Sequence, residues 1–403
     1  MKNINILIIG YNTIKEIKQK GLISDDSKTF NIWYNPGVSF NKSIVVIPFG
    51  KNTIQKKLTQ SIKYFEWKFQ KNNIFILNLF FIIFHLFQSS FRIYKIIKKY
   101  NIDVVKVNGP HIPSLVFFLI SPFLKIPKIM FIEAFWVKLL PTQDYMNKFF
   151  KFILPYWYKF YVYRNFDIYC GTPSVDKLYF EQLGMNSYKI SKWIHEIDIE
   201  TLLKKTKKLI PQKKYLDLPH PKLIAVGRLH SEKHHQDLIY VLKELKNDYK
   251  NAQLILVGNG EQKQKLIDLA HKLKLNNSLH ITGNLTQEEG LSLVKHCDIY
   301  VAPMQGNALI EAMISDIPIV AYNHSWHSNL ITHKSTGYLV ENRNPKKMAK
   351  AVKYLIENKK ESKKIASNAN KYAFKNFNNK EVTKILIRPY LDALGIKKIP
   401  NKR

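Results

Sequence analysis

The chain of 403 residues is short of three things: cysteine, acidic side chains and long apolar runs. Its two cysteines, Cys170 and Cys297, exclude a disulfide framework, so a reducing, cytoplasmic address is expected. Asp and Glu number 30 against 63 Lys and Arg, a net charge of +33. That imbalance points to a polyanionic partner: nucleic acid, an anionic membrane or a phosphorylated small molecule. The most membrane-like run, Ile74–Phe91, is interrupted by Asn78, His85, Gln88, Ser89 and Ser90. A buried or interfacial helix is expected there rather than a span of about 20 apolar residues. Residues 1–10 carry one Lys and a short apolar run ending at Gly10, which reads as a first buried strand rather than a secretory signal. With 46% hydrophobic and 23% charged residues, global disorder is excluded. The length suggests two or three domains.

What is present is an alternation of short β-rich runs with helical patterns, the signature of an α/β protein with parallel sheets. Strands are expected at Ile4–Ile9, Ser43–Ile47, Val104–Val107, Lys128–Ile132 and Ile168–Cys170 in the first half. In the second half they are expected at Lys222–Val226, Gln253–Val257, Ser278–Thr282, Ile299–Ala302, Ile317–Ala321 and Tyr338–Val340. Runs such as "QLILVG" and "IPIVAY" are apolar throughout, as strands covered on both faces must be. The polar segment Thr201–Pro221, with three prolines, is expected to separate two domains.

Two stretches join aromatics to cations. Ser61–Tyr100 contains "KYFEWKFQK" and "FRIYKIIKKY". In Lys148–Arg164, 9 of 17 residues are aromatic, 4 basic and none acidic. Such a mixture suits a membrane interface, where rings sit at headgroup level and cations attract anionic lipid. The alternative is a core helix with long cations reaching out at its edges. For nucleic acid, neither a helix-turn-helix nor a single-strand platform is visible, so it is not expected as a partner.

Two segments carry the chemistry. In "LIAVGRLHSEKHHQDLI", Leu223–Ile239, a buried strand ends at Val226, and Gly227 permits a turn. Arg228 and Lys233 then follow just beyond the carboxyl end of a strand, where open α/β sheets bind ligands. Two cations there suit an anion, and Arg offers a bidentate fork for phosphate. The other reading is a surface turn with solvated charges. In "DIYVAPMQGNALIEAMISDIPIVAY", Asp298–Tyr322, a strand leads through Gly306, Asn307 and Ala308 into a helix bearing Glu311. Free amides at that helix start suit phosphate. Glu311 suits a vicinal diol such as ribose, or is simply a helix-face carboxylate favoured by the dipole. His230, His234 and His235 cluster near Arg228, but no Cys or carboxylate completes a metal site.

Taken together, "VGRLHSEKH", "LILVGNGEQKQKLIDLA", "ITGNLTQEE" and "CDIYVAPMQGNALIEAM", in order from Leu223 to Val352, resemble the donor half of the GT-B glycosyltransferases, specifically glycosyltransferase family 4 (group 1). The resemblance implies two Rossmann-like domains facing across a cleft. Residues 1–205 would bind the acceptor, residues 218–372 the nucleotide sugar, and residues 373–403 would return to the first domain and end in a basic tail. It implies that Arg228 and Lys233 hold the donor diphosphate and that the amides of Gly306, Asn307 and Ala308 contact phosphate. Glu311 would bind ribose, Gly283 would line the base pocket, and Gly258 and Gly260 would let the chain pass close to the nucleotide. No metal and no cofactor are implied, because the cations take that role.

In the first half, Glu133 in "IPKIMFIEAFW" stands where family members often carry a His, and "IDVVKVNGPHIPSL" sets Asn108 and His111 at another strand end. Glu133 and His111 would orient the acceptor. There are departures from the pattern. Pro303 stands eight residues before Glu311, where the family has a second Glu; His234 stands where a Gly usually follows the Lys; and Tyr11-Asn12-Thr13 replaces a Gly-rich loop. The expected activity is retaining hexosyl transfer from a UDP- or GDP-sugar to a glycan or lipid-linked acceptor in cell-envelope synthesis. It would take place in the cytoplasm, peripheral on an anionic inner membrane face. The alternative is a catalytically inactive homologue serving as a partner subunit.

Overall fold

The computed structural model describes residues 3–10, 13–19, 34–36, 39–69, 75–109, 112–132, 156–157, 160–161, 164–171, 190–192, 198–324 and 327–396. The chain divides into two compact units, residues 1–196 with 382–403, and residues 197–381.

The first unit is built in the order β1 (Asn5–Ile9), α1 (Ile14–Gln19), β2 (Lys42–Gly50), β3 (Ile54–Lys57), β4 (Ile62–Lys68), α2 (Phe75–Tyr100), β5 (Val104–Asn108), α3 (Ile112–Phe118), β6 (Lys128–Ile132), β7 (Ile168–Gly171) and β8 (Ile190–Lys192). Its sheet order is β3-β4-β2-β1-β5-β6-β7-β8. All neighbours are parallel except the edge pair β3–β4. Leu7, Ile9, Val105 and Val107 are buried against Ile93 and Ile97 of α2, so the central strands are covered as their apolar sequences require.

The "KYFEWKFQK" segment, grouped with the membrane-facing aromatics, is largely β4, and Tyr64, Phe65 and Trp67 are buried. Its one carboxylate, Glu66, is buried but paired: it accepts from the Tyr64 hydroxyl at 2.8 Å and from the amides of Lys51 and Asn52 at 2.9 and 3.0 Å. A carboxylate inside an aromatic strand obscures the alternation that marks a strand in sequence. Among the described residues of Lys148–Arg164, Tyr161 is buried while Tyr156 and Phe160 are exposed; most of that stretch lies outside the described residues.

The second unit continues with α4 (Ile199–Thr206), α5 (Lys213–Leu216), β9 (Lys222–Val226), α6 (His235–Leu245), β10 (Gln253–Val257), α7 (Lys263–Lys272), β11 (Leu279–Gly283) and α8 (Gln287–Val294). Then come β12 (Ile299–Ala302), α9 (Ala308–Met313), β13 (Ile319–Tyr322), α10 (His327–Leu330), β14 (Tyr338–Val340), α11 (Pro345–Glu357), α12 (Lys359–Asn376) and the start of α13 (Asn379–Ala393), most of which belongs to the first unit. Six parallel strands run in the order β11-β10-β9-β12-β13-β14.

The segment read as a linker, Thr201–Pro221, is instead part of this unit. Asp198 caps α4 by accepting from the Thr201 amide at 3.1 Å. Lys205 pairs with Glu288 of α8 at 3.2 Å, and the Ser292 hydroxyl donates to the Leu209 carbonyl at 2.7 Å. The division therefore falls at 196/197 rather than after residue 205. The second division falls inside α13, at 381/382 rather than at 372/373. Both cysteine thiols are buried and pushed up to about 12 by that burial, so they stay protonated and unreactive.

The strand ends of this sheet are sewn together by backbone. The Gly227 amide donates to the Val257 carbonyl and the Gly258 amide to the Gly283 carbonyl, each at 2.9 Å. Gly258 has φ +142°, and a Cβ there would lie 2.1 Å from the Gly227 carbonyl oxygen. Gly283 has φ +77° with open space around it. We therefore expect Gly258→Ala to destabilise by more than about 3 kcal/mol, through backbone strain added to the clash. Gly283→Ala is expected to cost about 1–2 kcal/mol, for the left-handed conformation alone. Urea unfolding of the two variants checks the ranking; equal losses would contradict it.

Candidate functional site at the strand-order reversal of the second sheet

In the second sheet the chain builds β10 and β11 on one side of β9, then returns to place β12 on the other. Loops leaving β9 and β12 therefore diverge from adjacent parallel strands, and the gap they leave is where doubly wound sheets take ligands.

The loop after β9 supplies cations. The Leu229 amide donates to the Asn259 carbonyl at 3.0 Å, holding the loop against the one after β10. A single 3-10 turn, Ser231–Lys233, then brings Lys233 back towards the sheet. Arg228 is exposed, and its guanidinium donates to Glu232 at 3.2 Å. Lys233 is largely buried, with its ammonium 4.0 Å from Glu232. Burial holds its pKa below the ordinary lysine value, against the upward pull of Glu232 and with the repulsion of Arg228 added. A partly desolvated cation whose carboxylate neighbour is 4.0 Å away and shared with Arg228 is poised for a further anion.

His234 begins α6 in the left-handed region, with φ +53°. The resemblance places a Gly at this position, and the backbone keeps the conformation a Gly would allow. The Arg343 guanidinium bonds the His234 ring. Arg343 also pairs with Asp237 at 3.2 Å, and the Tyr322 hydroxyl donates to the same Asp237 oxygen at 3.1 Å. These contacts tie the cationic loop to β13 and to the loop after β14.

The loop after β12 supplies amides and a carboxylate. The first intrahelical bonds of α9 are Leu309 to Gly306 at 3.0 Å and Ile310 to Asn307 at 2.8 Å. The amides of Gly306, Asn307 and Ala308 thus precede the helical ladder. Glu311 is partly buried, and Gln287 at the start of α8 donates to it at 2.8 Å. Burial raises its pKa, with the Gln287 bond opposing. Tyr300 of β12 accepts from the Val226 amide at 3.4 Å, fixing β12 to the end of β9.

A buried polar layer lies under these loops. The His327 ring nitrogens meet the Tyr322 and Gln305 carbonyls at 3.0 and 3.1 Å. Both ring nitrogens of buried His235 and the amide nitrogen of buried Gln305 have no hydrogen-bond partner. Both side chains face Gly227, where a Cβ would lie 3.8 Å from each. Burial pushes His235 down to about 4, and the charges of Lys233 and His234 add to this.

The structure thus sets Arg228, Lys233, Gly258, Gly283, Gly306, Asn307, Ala308 and Glu311 on the loops and strand ends of four neighbouring strands. His111 and Glu133 lie outside the described residues. Asn108 closes β5, beside the strand-order reversal of the first sheet, with its buried carbonyl oxygen unpartnered. The three neighbouring histidines go separate ways: His230 to Glu261 at 3.3 Å, His234 to Arg343, His235 into the core. Among the described residues no group of three or more His, Cys, Asp or Glu is placed to hold a metal. Gln287, Gln305, Arg343 and Asp237 were not legible as site residues; each reaches the site through a contact distant in sequence.

Residues 206–372 match the pattern of the glycosyl transferases group 1 family. The match covers most of the second unit, residues 197–381. A glycosyltransferase from Rickettsia africae superposes with a TM-score of 0.68 at 17% identity, covering 98% of this chain and 99% of that one. The Anabaena protein Alr3699/HepE, solved with UDP, gives 0.69 at 16% identity, covering 96% and 99%. Both units therefore follow the GT-B fold. An uncharacterised glycosyltransferase of Methanocaldococcus jannaschii is 28% identical over 251 residues, 59% of this chain. The match spans 60% of that relative's length.

The buried His235 sets a pH dependence for the second unit. Its ordinary value is 6.5 and its folded value about 4, so the unfolded chain binds the extra proton between them. The stability it contributes is complete above about pH 6.5 and is lost as pH falls towards 4, amounting to about 3 kcal/mol. Urea midpoints of His235→Gln are expected to fall less steeply than wild type from pH 7 to 4.5; parallel curves would contradict this.

Proposed function

We propose that the chain is a retaining, metal-independent hexosyltransferase using a UDP- or GDP-sugar. Its acceptor would be a glycan or lipid-linked hydroxyl of cell-envelope polysaccharide or glycolipid synthesis, met in the cytoplasm at the inner membrane face. The observation that carries this reading is the meeting, at one strand-order reversal, of a partly buried lysine and an arginine with leading amides and a partly buried carboxylate. The UDP bound by the Anabaena protein supports a nucleoside diphosphate as the leaving group.

In this reading Arg228, Lys233 and the amides from Gly306 to Ala308 surround the diphosphate. As the anomeric carbon–oxygen bond breaks, negative charge grows on the departing phosphate, and these fixed donors stabilise it more than they stabilise the bound substrate. The acceptor oxygen attacks from the face the phosphate is leaving. Its proton passes to a phosphate oxygen, so configuration is retained and no strong protein base is required. Glu133 and His111 orient the acceptor. Glu311 takes the ribose hydroxyls, exchanging its bond to Gln287 for bonds to the nucleotide. With Pro303 in place of a carboxylate, the sugar itself must be held by other groups.

Thermal unfolding with UDP and with GDP tests this. One of them, at about 100 times its dissociation constant, is expected to stabilise the protein by about 2.7 kcal/mol. Arg228→Ala is expected to abolish the shift, and Glu311→Gln to weaken binding about tenfold. No response to either nucleotide would contradict the donor site. Binding without transfer or hydrolysis of any matching nucleotide sugar would instead assign the chain to an inactive partner subunit, a reading that Pro303 favours.

A further inference from the structure

The 26-residue helix α2 has two unlike faces. His85, Ser89, Ser90, Ile93, Ile96 and Ile97 are buried on the first unit's sheet and on α3. The His85 ring meets the Pro48 carbonyl of β2, and the Ser90 hydroxyl donates to the Val116 carbonyl of α3 at 2.6 Å. That fixed inner face excludes α2 as an independent membrane span, although its length and composition would allow one.

The outer face is apolar. Phe80, Phe84, Phe87 and Phe91 repeat at helical spacing and are 57% to 63% exposed. Phe80 and Phe84 stack with ring planes 11° apart. Four exposed phenylalanines in one stripe are far from the scattered apolar residues of an ordinary surface. Exposed Phe118 and Phe123 follow in and after α3, the element α2 packs on. Towards its C-terminus the same helix turns basic. The Lys95 ammonium lies 4.4 Å from the Phe91 ring centre and that of Lys98 5.7 Å from Tyr94. The whole helix holds no acidic residue.

We propose that this outer face is a docking surface for an anionic lipid bilayer. It would lay α2 in the membrane plane, with the phenylalanine stripe among the acyl chains and the exposed Lys95, Lys98 and Lys99 at the phosphates. Charge selects this occupant. A second copy would bring another +33 against the first, whereas an anionic leaflet attracts the same cations that border the stripe. An amphipathic helix of this length, apolar on its outer side and basic at one end, has the composition of in-plane membrane helices. The inference rests on α2 alone and stands apart from the donor-site reading.

The experiment is co-sedimentation of the full chain with vesicles of phosphatidylcholine, and with an equimolar mixture of phosphatidylcholine and phosphatidylglycerol. The wild type is expected to pellet with the mixed vesicles and to stay in solution with phosphatidylcholine alone. Phe84→Asp/Phe87→Asp, both on the exposed stripe, is expected to bind the mixed vesicles at least about 100-fold more weakly, about tenfold per phenylalanine withdrawn from lipid. Far-UV circular dichroism and the melting temperature of that variant, unchanged from wild type, show that the fold survives. Lys95→Glu/Lys98→Glu is expected to remove the preference for anionic lipid, separating headgroup recognition from apolar insertion. Wild type left in solution with mixed vesicles would overturn the proposal, as would a double Asp variant that binds like wild type. So would a lipid-free dimer that the double Asp variant dissolves, which would give the face to a second copy. Failure of the donor site would appear in the nucleotide-induced stabilisation and leave vesicle binding unchanged.

Discussion

The parallel pairing of β9 with β10 on one side and β12 on the other is the constraint on which the candidate site depends. Two adjacent strands whose outgoing loops leave in opposite directions cannot cover the ground between them. The chain lines that gap from both sides, with cations from the β9 loop and amides from the β12 loop. The backbone bonds from Gly227 to Val257 and from Gly258 to Gly283 hold the strand ends at fixed spacing. Any side chain at Gly258 would push them apart, since a Cβ there meets the Gly227 carbonyl.

Electrostatics sharpens what this geometry begins. Among the described residues, the carboxylate near Lys233 is Glu232, which is half-exposed and also occupied by Arg228. Deeper in, Asp237 is committed to Arg343 and Tyr322, and Glu311 to Gln287. The buried imidazole of His235 stays neutral and so adds no competing charge beside Lys233. The result is a partly buried positive charge whose natural counter-ion is a ligand. The scarcity of acidic residues noted in the sequence becomes a local property here.

Much of this was legible in the residues. Arg228 and Lys233 follow a strand that ends in Gly227, and Glu311 follows a Gly-containing loop, so local order alone sets them near strand ends. The central strands were legible for the same reason: an unbroken apolar run such as "QLILV" has few other uses. The rest depends on contacts between distant segments. Gln287 meets Glu311 across 24 residues, and Arg343 meets His234 across 109. No local pattern announces such pairs. β4 was missed because Glu66 and the flanking lysines mask a buried strand, and their pairing appears only when β2 and β3 are in place. Thr201–Pro221 read as a linker because its polar residues and prolines resemble one; the packing of α4 on α8 takes its place. The aromatic–basic composition of α2 was visible at once, but only the structure separates its buried half from its exposed half.

The loops and strand ends at the carboxyl ends of β9 to β12 are proposed to bind one nucleoside diphosphate. Hydrogen–deuterium exchange of the full chain, with and without saturating UDP or GDP, tests it most directly. Slowed exchange is expected in residues 227–234, 258–262, 283–287 and 304–311 with one of the two nucleotides, with loss of that protection in Arg228→Ala. Nucleotide-dependent protection confined to other segments, or protection in these that survives Arg228→Ala, would contradict it.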